Sequence, residues 1–198
     1  MSPNIVLPRI LGALFYYSPE RPEVKALFDC LPTLSELYPW SDPAGTASLC
    51  ADWPFPDNDE LAWQFSVLFE GQGEMPVPPW GSVWLERDNL LMGNTTAKYR
   101  AFLQSQGMTF NSGQNEPEDQ FGLMLLACSA ILDAGKDAAV NQLLEVYLLA
   151  WGYRYLERLQ GNRVSPFYAR LAAVTTRYLQ DLQQQRALQP AVKRLYFG

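Results

Sequence analysis

The sequence predicts an all-α protein, a single helical bundle over residues 1–198 with one long structured loop region in its first half. Three observations carry that expectation. Apolar residues recur at i, i+3, i+4 and i+7 through most of the chain. No Asn-Gly or Asp-Gly turn lies between alternating apolar runs, as a β-hairpin would require. No repeat of solenoid period is visible, so the helices must close around one core rather than stack.

Each element has a local reason. Leu7, Ile10, Leu11, Leu14 and Phe15 form the first stripe, with Pro8 tolerable in a first turn. Pro19 and Pro22 punctuate, and Glu23 to Leu31 reads as a short second helix. Pro32 to Pro56 reads as a loop with room for one short helix. Asp57-Asn58-Asp59-Glu60 is a helix start, its anions near the positive end of the dipole. That helix carries Leu61, Phe65, Leu68 and Phe69 and stops at Gly71 and Gly73. Pro78-Pro79-Trp80-Gly81-Ser82-Val83-Trp84 follows as a stiff aromatic loop, because proline fixes φ and interrupts helix and sheet alike.

Asn94 is the expected cap of a helix running to Gly107, with Tyr99, Phe102 and Leu103 inward. Asn115 with Glu118 three residues on approximates a capping box for a helix holding Phe121, Leu125, Cys128, Ile131 and Leu132. The clearest stripe runs from Val140 through Leu144, Tyr147, Trp151 and Tyr155 to Leu159. Ser165-Pro166 is an N-cap with proline at the first helical position, opening a last helix through Leu171, Val174, Tyr178 and Leu182. The tail from Gln189 reads as extended.

Composition bounds the function. The chain of 198 residues contains no histidine, which removes Ser-His-Asp and Cys-His catalysis and the usual physiological proton carrier. Carboxylate, lysine or tyrosine chemistry stays open. The net charge of −6 argues against nucleic acid and would favour a basic partner, beside the more common reading that an acidic balance merely keeps a protein soluble. Cys30, Cys50 and Cys128 are odd in number and far apart, so buried free thiols are expected rather than a disulfide framework. The apolar run Ile10 to Tyr17 is too short for a membrane span, and no signal peptide is evident, which points to the cytoplasm. There is no P-loop, and Gly71-Gln72-Gly73 lacks the third glycine of a dinucleotide fingerprint.

Two segments carry the functional expectation. Trp80 offers flat apolar area for docking a peptide; the opposing reading folds it into the core, where Trp84 and Trp151 are expected in any case. Glu116, Glu118 and Asp119 are suited to arginines of a ligand, against a reading in which they only cap a helix and complement its dipole. Tyr16 and Tyr17 could present hydroxyls to the same groove, against the preferred reading of ordinary amphipathic packing with the hydroxyl at the rim.

Four segments in order resemble the TorD/DmsD family of twin-arginine-translocation (Tat) proofreading chaperones, most closely its DmsD branch. They are Leu11-Gly12-Ala13-Leu14-Phe15-Tyr16-Tyr17, Leu68-Phe69-Glu70-Gly71, Pro78-Pro79-Trp80-Gly81-Ser82-Val83-Trp84-Leu85 and Asn115-Glu116-Pro117-Glu118-Asp119. The resemblance implies a TorD-like helical bundle with no enzymatic activity and no cofactor. It implies a cytoplasmic chaperone that binds the twin-arginine signal peptide of a dimethyl-sulfoxide-reductase-type molybdoenzyme subunit and delays export until cofactor insertion is complete. Tat translocase components are further partners on this reading; direct membrane insertion is not expected. The implied peptide groove involves Tyr16, Leu68, Pro79, Trp80, Pro117, Asp119 and Gln120, beside the Glu116 carboxylate. Two positions depart from the pattern. Gln120 stands where the family has histidine, so any role needing an ionisable imidazole is lost. Gly73 stands where DmsD relatives can carry tryptophan. Competing readings are a family member that binds the folded body of another reductase, and an all-α enzyme using carboxylates in the same groove.

Overall fold

The computed structural model describes residues 3–71, 74–109 and 116–197. Ten α-helices order the described residues: α1 (Pro3–Tyr16), α2 (Pro22–Phe28), α3 (Pro43–Cys50), α4 (Asn58–Phe69), α5 (Gly81–Leu85), α6 (Asn94–Ser105), α7 (Phe121–Asp133), α8 (Asp137–Gln142), α9 (Leu149–Gln160) and α10 (Pro166–Gln185). A 3₁₀ turn, Leu31–Glu36, precedes α3, and a π-helical turn, Leu143–Leu148, joins α8 to α9. No strand occurs among these residues, in agreement with the all-α expectation.

The centre of the bundle is α1 packed along α7, and α9 pairs with α10. Gly12 and Gly122 make the first contact possible. A Cβ on Gly12 would meet the Gly122 carbonyl oxygen at 2.8 Å, and one on Gly122 would meet the Gly12 carbonyl oxygen at 2.7 Å. The two backbones therefore cross at a distance only glycine allows. Phe15 and Phe121 meet edge to face beside the crossing, with ring centroids 5.2 Å apart.

The expected helix starts hold at two places. Asp57 accepts from the Glu60 amide at 2.8 Å, and Ser165 from the Tyr168 amide at 3.2 Å, each satisfying a first-turn donor. Elsewhere prolines that read as breakers sit inside helices. Pro22, Pro32 and Pro43 occupy the first or second position of their elements, where a missing N–H costs nothing. The region from Pro32 to Pro56 thus holds a 3₁₀ turn as well as α3. Because α1 starts at Pro3, Pro8 lies beyond its first turn. Nearby, Ser129 Oγ of α7 donates to the Ile5 carbonyl at 2.7 Å. The cap of α6 is Gly93 rather than Asn94, and Glu86 takes the orphan donors there, accepting from Thr95 N and Thr95 Oγ1 at 2.6 Å each.

The long stripe from Val140 is not one α-helix. Its π turn leaves carbonyls open to the extended C-terminal tail: Glu145 O accepts from Ala191 N at 2.8 Å, and Val146 O from Lys193 Nζ at 2.7 Å. Tyr196 N then donates to Trp84 O at 2.8 Å, and Phe197 packs edge-on to Trp84 at 4.9 Å. The tail is a strap across α5 and the π turn. Beneath it Trp84 and Trp151 are fully buried, as expected. Cys50 and Cys128 are buried free thiols, while Cys30 is part-exposed.

Candidate functional site

The two segments singled out by sequence meet. Pro79 O accepts from Phe121 N at 2.8 Å and Gly81 N donates to Asp119 O at 3.0 Å, an antiparallel bridge between Trp80 and Gln120. The Pro/Trp loop is therefore sewn to the start of α7. Side chains double the join. Trp80 Nε1 donates to Glu116 Oε1 at 2.6 Å, and Ser82 N donates to Asp119 Oδ2 at 2.6 Å. Trp80, the N-cap residue of α5, makes no side-chain cap of its own, so the Asp119 carboxylate serves that helix from across the bridge. Gly81 keeps the approach open, since a Cβ there would meet Trp151 Nε1 at 2.9 Å.

The expected helix start is displaced. Asn115 lies outside the described residues, and α7 begins at Phe121, so the capping-box register is not used. Gln120 is the cap. Its Oε1 accepts from Leu123 N at 2.9 Å and its Nε2 donates to Phe15 O at 3.1 Å, clamping the end of α1 to the start of α7. A neutral amide performs both roles at once, as a donor and an acceptor on one side chain. Replacing Gln120 with alanine is expected to cost about 1–3 kcal/mol, from a lost cap and a buried carbonyl left unpaired. Urea unfolding would measure it; an unchanged midpoint would show the clamp to be dispensable.

The three carboxylates do not act as one acidic cluster; they diverge. Asp119 is only 1% exposed. Burial pushes its carboxyl above the ordinary aspartate value, partly offset by the Ser82 amide and by the hydroxyls of Ser82 and Thr96. Those hydroxyls lie near it without completing well-formed hydrogen bonds. Burial also raises Glu116, against the pull of the Trp80 indole, and the nearby Asp119 charge adds to the rise. Glu118 is different. Burial pushes it up, but the bonds from Arg100 outweigh that and hold it below the usual glutamate value. Arg100 grips it in bidentate fashion, Nε to Oε1 at 2.5 Å and Nη2 to Oε2 at 2.8 Å.

Trp80 is 7% exposed, so the core reading of this residue describes its position better than the docking one. Leu68, Pro79, Pro117 and Gln120 are buried too. Of the residues expected in the groove, Tyr16 and Glu116 reach the surface, and they do so together: the Glu116 charge contributes to the raised Tyr16 hydroxyl, after burial itself.

The accessible concavity beside them was not read from sequence. A cavity of about 430 Å³ opens between α1, α6 and α7. Ala13, Tyr17, Leu103, Met108, Leu123 and Leu126 line it, with Arg9 and Glu118 among its polar residues. Its lining is mostly apolar, and no run of sequence announces it because the residues come from three helices and from the segments flanking them.

Comparison with known proteins closes the question of kinship. The nitrate reductase delta subunit family matches residues 41–160. The Tat proofreading chaperone DmsD of Salmonella typhi is 35% identical over 192 residues, covering 96% of this chain and 94% of its own. The chain belongs to the TorD/DmsD family, in its DmsD branch.

A probable DmsD of Haemophilus influenzae is 31% identical over 191 residues, 95% of this chain and 94% of its own. A putative redox enzyme maturation protein from Archaeoglobus fulgidus shares the fold, with TM-score 0.55 at 16% identity over 89% of this chain and 93% of that one. As a family member the protein is a redox-enzyme maturation chaperone and not an enzyme. The structure also gives a physical reason why this member can hold glutamine at position 120. The side chain is buried and works as a clamp, and neither of its bonds requires a proton to titrate. Gly73 lies outside the described residues.

Proposed function

We propose that the protein binds the twin-arginine leader of a dimethyl-sulfoxide-reductase-type catalytic subunit in the cytoplasm, delays its export until cofactor insertion and folding, and then yields it to Tat translocase components. The observation that carries this reading is the apolar cavity between α1, α6 and α7 with Glu118 on its wall. A leader presents an arginine pair and then a moderately apolar stretch. The cavity takes the apolar part and Glu118 an arginine. Arg100 already demonstrates that Glu118 accepts a guanidinium in fork geometry, so a leader arginine would exchange with it. Tyr16 and Glu116 contact the peptide at the rim. Leu68, Pro79, Trp80, Pro117, Asp119 and Gln120 are buried and support the site from within the fold rather than by contact with the peptide.

Calorimetric titration with the native leader and a Lys-Lys version tests this. Glu118→Gln is expected to weaken the native leader about tenfold and to narrow its advantage over Lys-Lys, because lysine cannot reproduce the fork. Leu126→Gln, on the cavity wall, is expected to weaken both peptides alike. Equal affinities across wild type and both variants would move the leader elsewhere on the protein.

A further inference from the structure

We propose that a second face, formed by the loop between α5 and α6 together with the C-terminal strap, docks reversibly on an anionic lipid surface. It stands independently of leader binding. Leu90, Leu91 and Met92 are consecutive and exposed by 62%, 48% and 42%. They are held outward rather than left to collapse. Asn89 and Met92 have left-handed backbone, with φ of 50° and 57°. The base of the loop is pinned: Asn89 Nδ2 donates to Val83 O at 2.7 Å and Asn89 N to Glu86 O at 3.1 Å, while Thr95 is tied to Glu86 at the far end. Three large apolar side chains at a braced loop tip mark an interaction site.

The loop runs into the wall of a cavity of about 340 Å³, lined by Asn94, Lys98, Tyr147, Lys193, Arg194 and Tyr196 among others. Lys98 comes from α6, and Lys193 and Arg194 from the strap, which its backbone bonds to Glu145 and Trp84 hold in place. None of the three cations forms an ion pair among the described residues. Lys98 and Lys193 lie close enough to feel each other: burial lowers the Lys193 ammonium, and Lys98 lowers it further. Glu86, in the same wall, has its carboxylate committed to Thr95. With Arg87 and Asp88 before the tip, the face sets four cations against two carboxylates, in a chain whose net charge is −6. Fully exposed Val192 and part-exposed Tyr196 add apolar and interfacial surface on the strap.

A free phosphate would use the cations and leave the leucines in water. A membrane of anionic lipid uses both, apolar tip into the interface and lysines and arginine against headgroups. The leader cavity stays clear of this face, because Lys98 and Leu103 lie about 140° apart around α6.

The test is co-sedimentation of the full chain with vesicles of phosphatidylcholine alone or mixed with phosphatidylglycerol. Binding is expected to be at least about tenfold stronger with phosphatidylglycerol, to vanish in high salt, and at low ionic strength to survive inorganic phosphate that replaces an equal ionic strength of sodium chloride. Leu90→Ser/Leu91→Ser/Met92→Ser and Lys98→Gln/Arg194→Gln are each expected to abolish it, with wild-type thermal melting and wild-type leader affinity. These are solvent-facing positions, and the melts establish that the variants fold. No preference for phosphatidylglycerol, retention of binding in both variants, or release by phosphate in place of salt would each overturn the proposal. The last of these would leave an anion site with no lipid role; capture of an acidic protein by a face that ignores vesicles would replace the membrane with a protein partner.

Discussion

Gly122→Ala is expected to destabilise the protein by about 3 kcal/mol, seen as a fall in Tm of about 6–12 °C. The added methyl group would stand 2.7 Å from the Gly12 carbonyl oxygen and 2.9 Å from Phe15 Cβ. Neither neighbour is the free end of a flexible chain, so α1 and α7 must separate. Gly12→Ala presses on the same crossing from the other side, meeting Gly122 O at 2.8 Å and Leu126 N at 2.9 Å. Once one substitution has opened the gap, the second meets a relaxed crossing. The double variant is therefore expected to cost clearly less than the sum of the two. Additive losses, or a single variant that melts with wild type, would mean the helices have slack that the static contact hides. The crossing also sets one side of the apolar cavity between α1, α6 and α7, because Ala13 and Leu126 lie at it. A stable Gly122→Ala protein with altered leader affinity would show that coupling.

The second large effect is a split between two replacements of Asp119. Alanine removes the acceptor of the buried Ser82 amide and is expected to cost about 1–3 kcal/mol. Asparagine keeps an acceptor for that amide and presents an N–H₂ toward the Ser82 and Thr96 hydroxyls, which lack well-formed partners. It also removes a charge that burial disfavours. The aspartate's folded pKa lies above its ordinary 3.8. Its contribution to stability is therefore full below that ordinary value and is lost as pH rises through the folded one. Asp119→Asn is expected to equal or exceed wild type at neutral pH, and to lose that advantage as pH falls toward 4. Thermal melts across that range check it. An asparagine variant that falls with alanine at pH 7 would mean the ionised carboxylate is favoured in place. Leader affinity should survive in the asparagine variant, because the carboxylate faces α5 and not solvent. Its loss would return Asp119 to the list of groups that touch the peptide.

Much of the fold was legible because its signals are local. The stripe of Leu7, Leu11 and Leu14, the Asp57 cap, and Ser165 before Pro166 each act within one or two turns of helix. Others misled because the same residue type serves opposite ends of an element. Pro32 and Pro43 break a preceding helix and also begin the next, and periodicity alone does not say which. The π turn at Leu143–Leu148 was hidden for a different reason. Its carbonyls are satisfied by a tail more than forty residues away, as in Ala191 to Glu145.

The candidate site divides in the same way. By itself the sequence determined the helical class, the family resemblance and the lack of histidine chemistry, and it singled out the Pro/Trp loop and the Glu116–Asp119 segment. Only the tertiary structure decided what those residues face. Pairing of Pro79 with Phe121 turns Trp80 inward onto Glu116 and commits Asp119 to α5, leaving Glu118, with Arg100 upon it, beside the open cavity. Which atoms meet solvent depends on how distant segments cross, and here the crossing depends on two glycines, Gly12 and Gly122, more than a hundred residues apart.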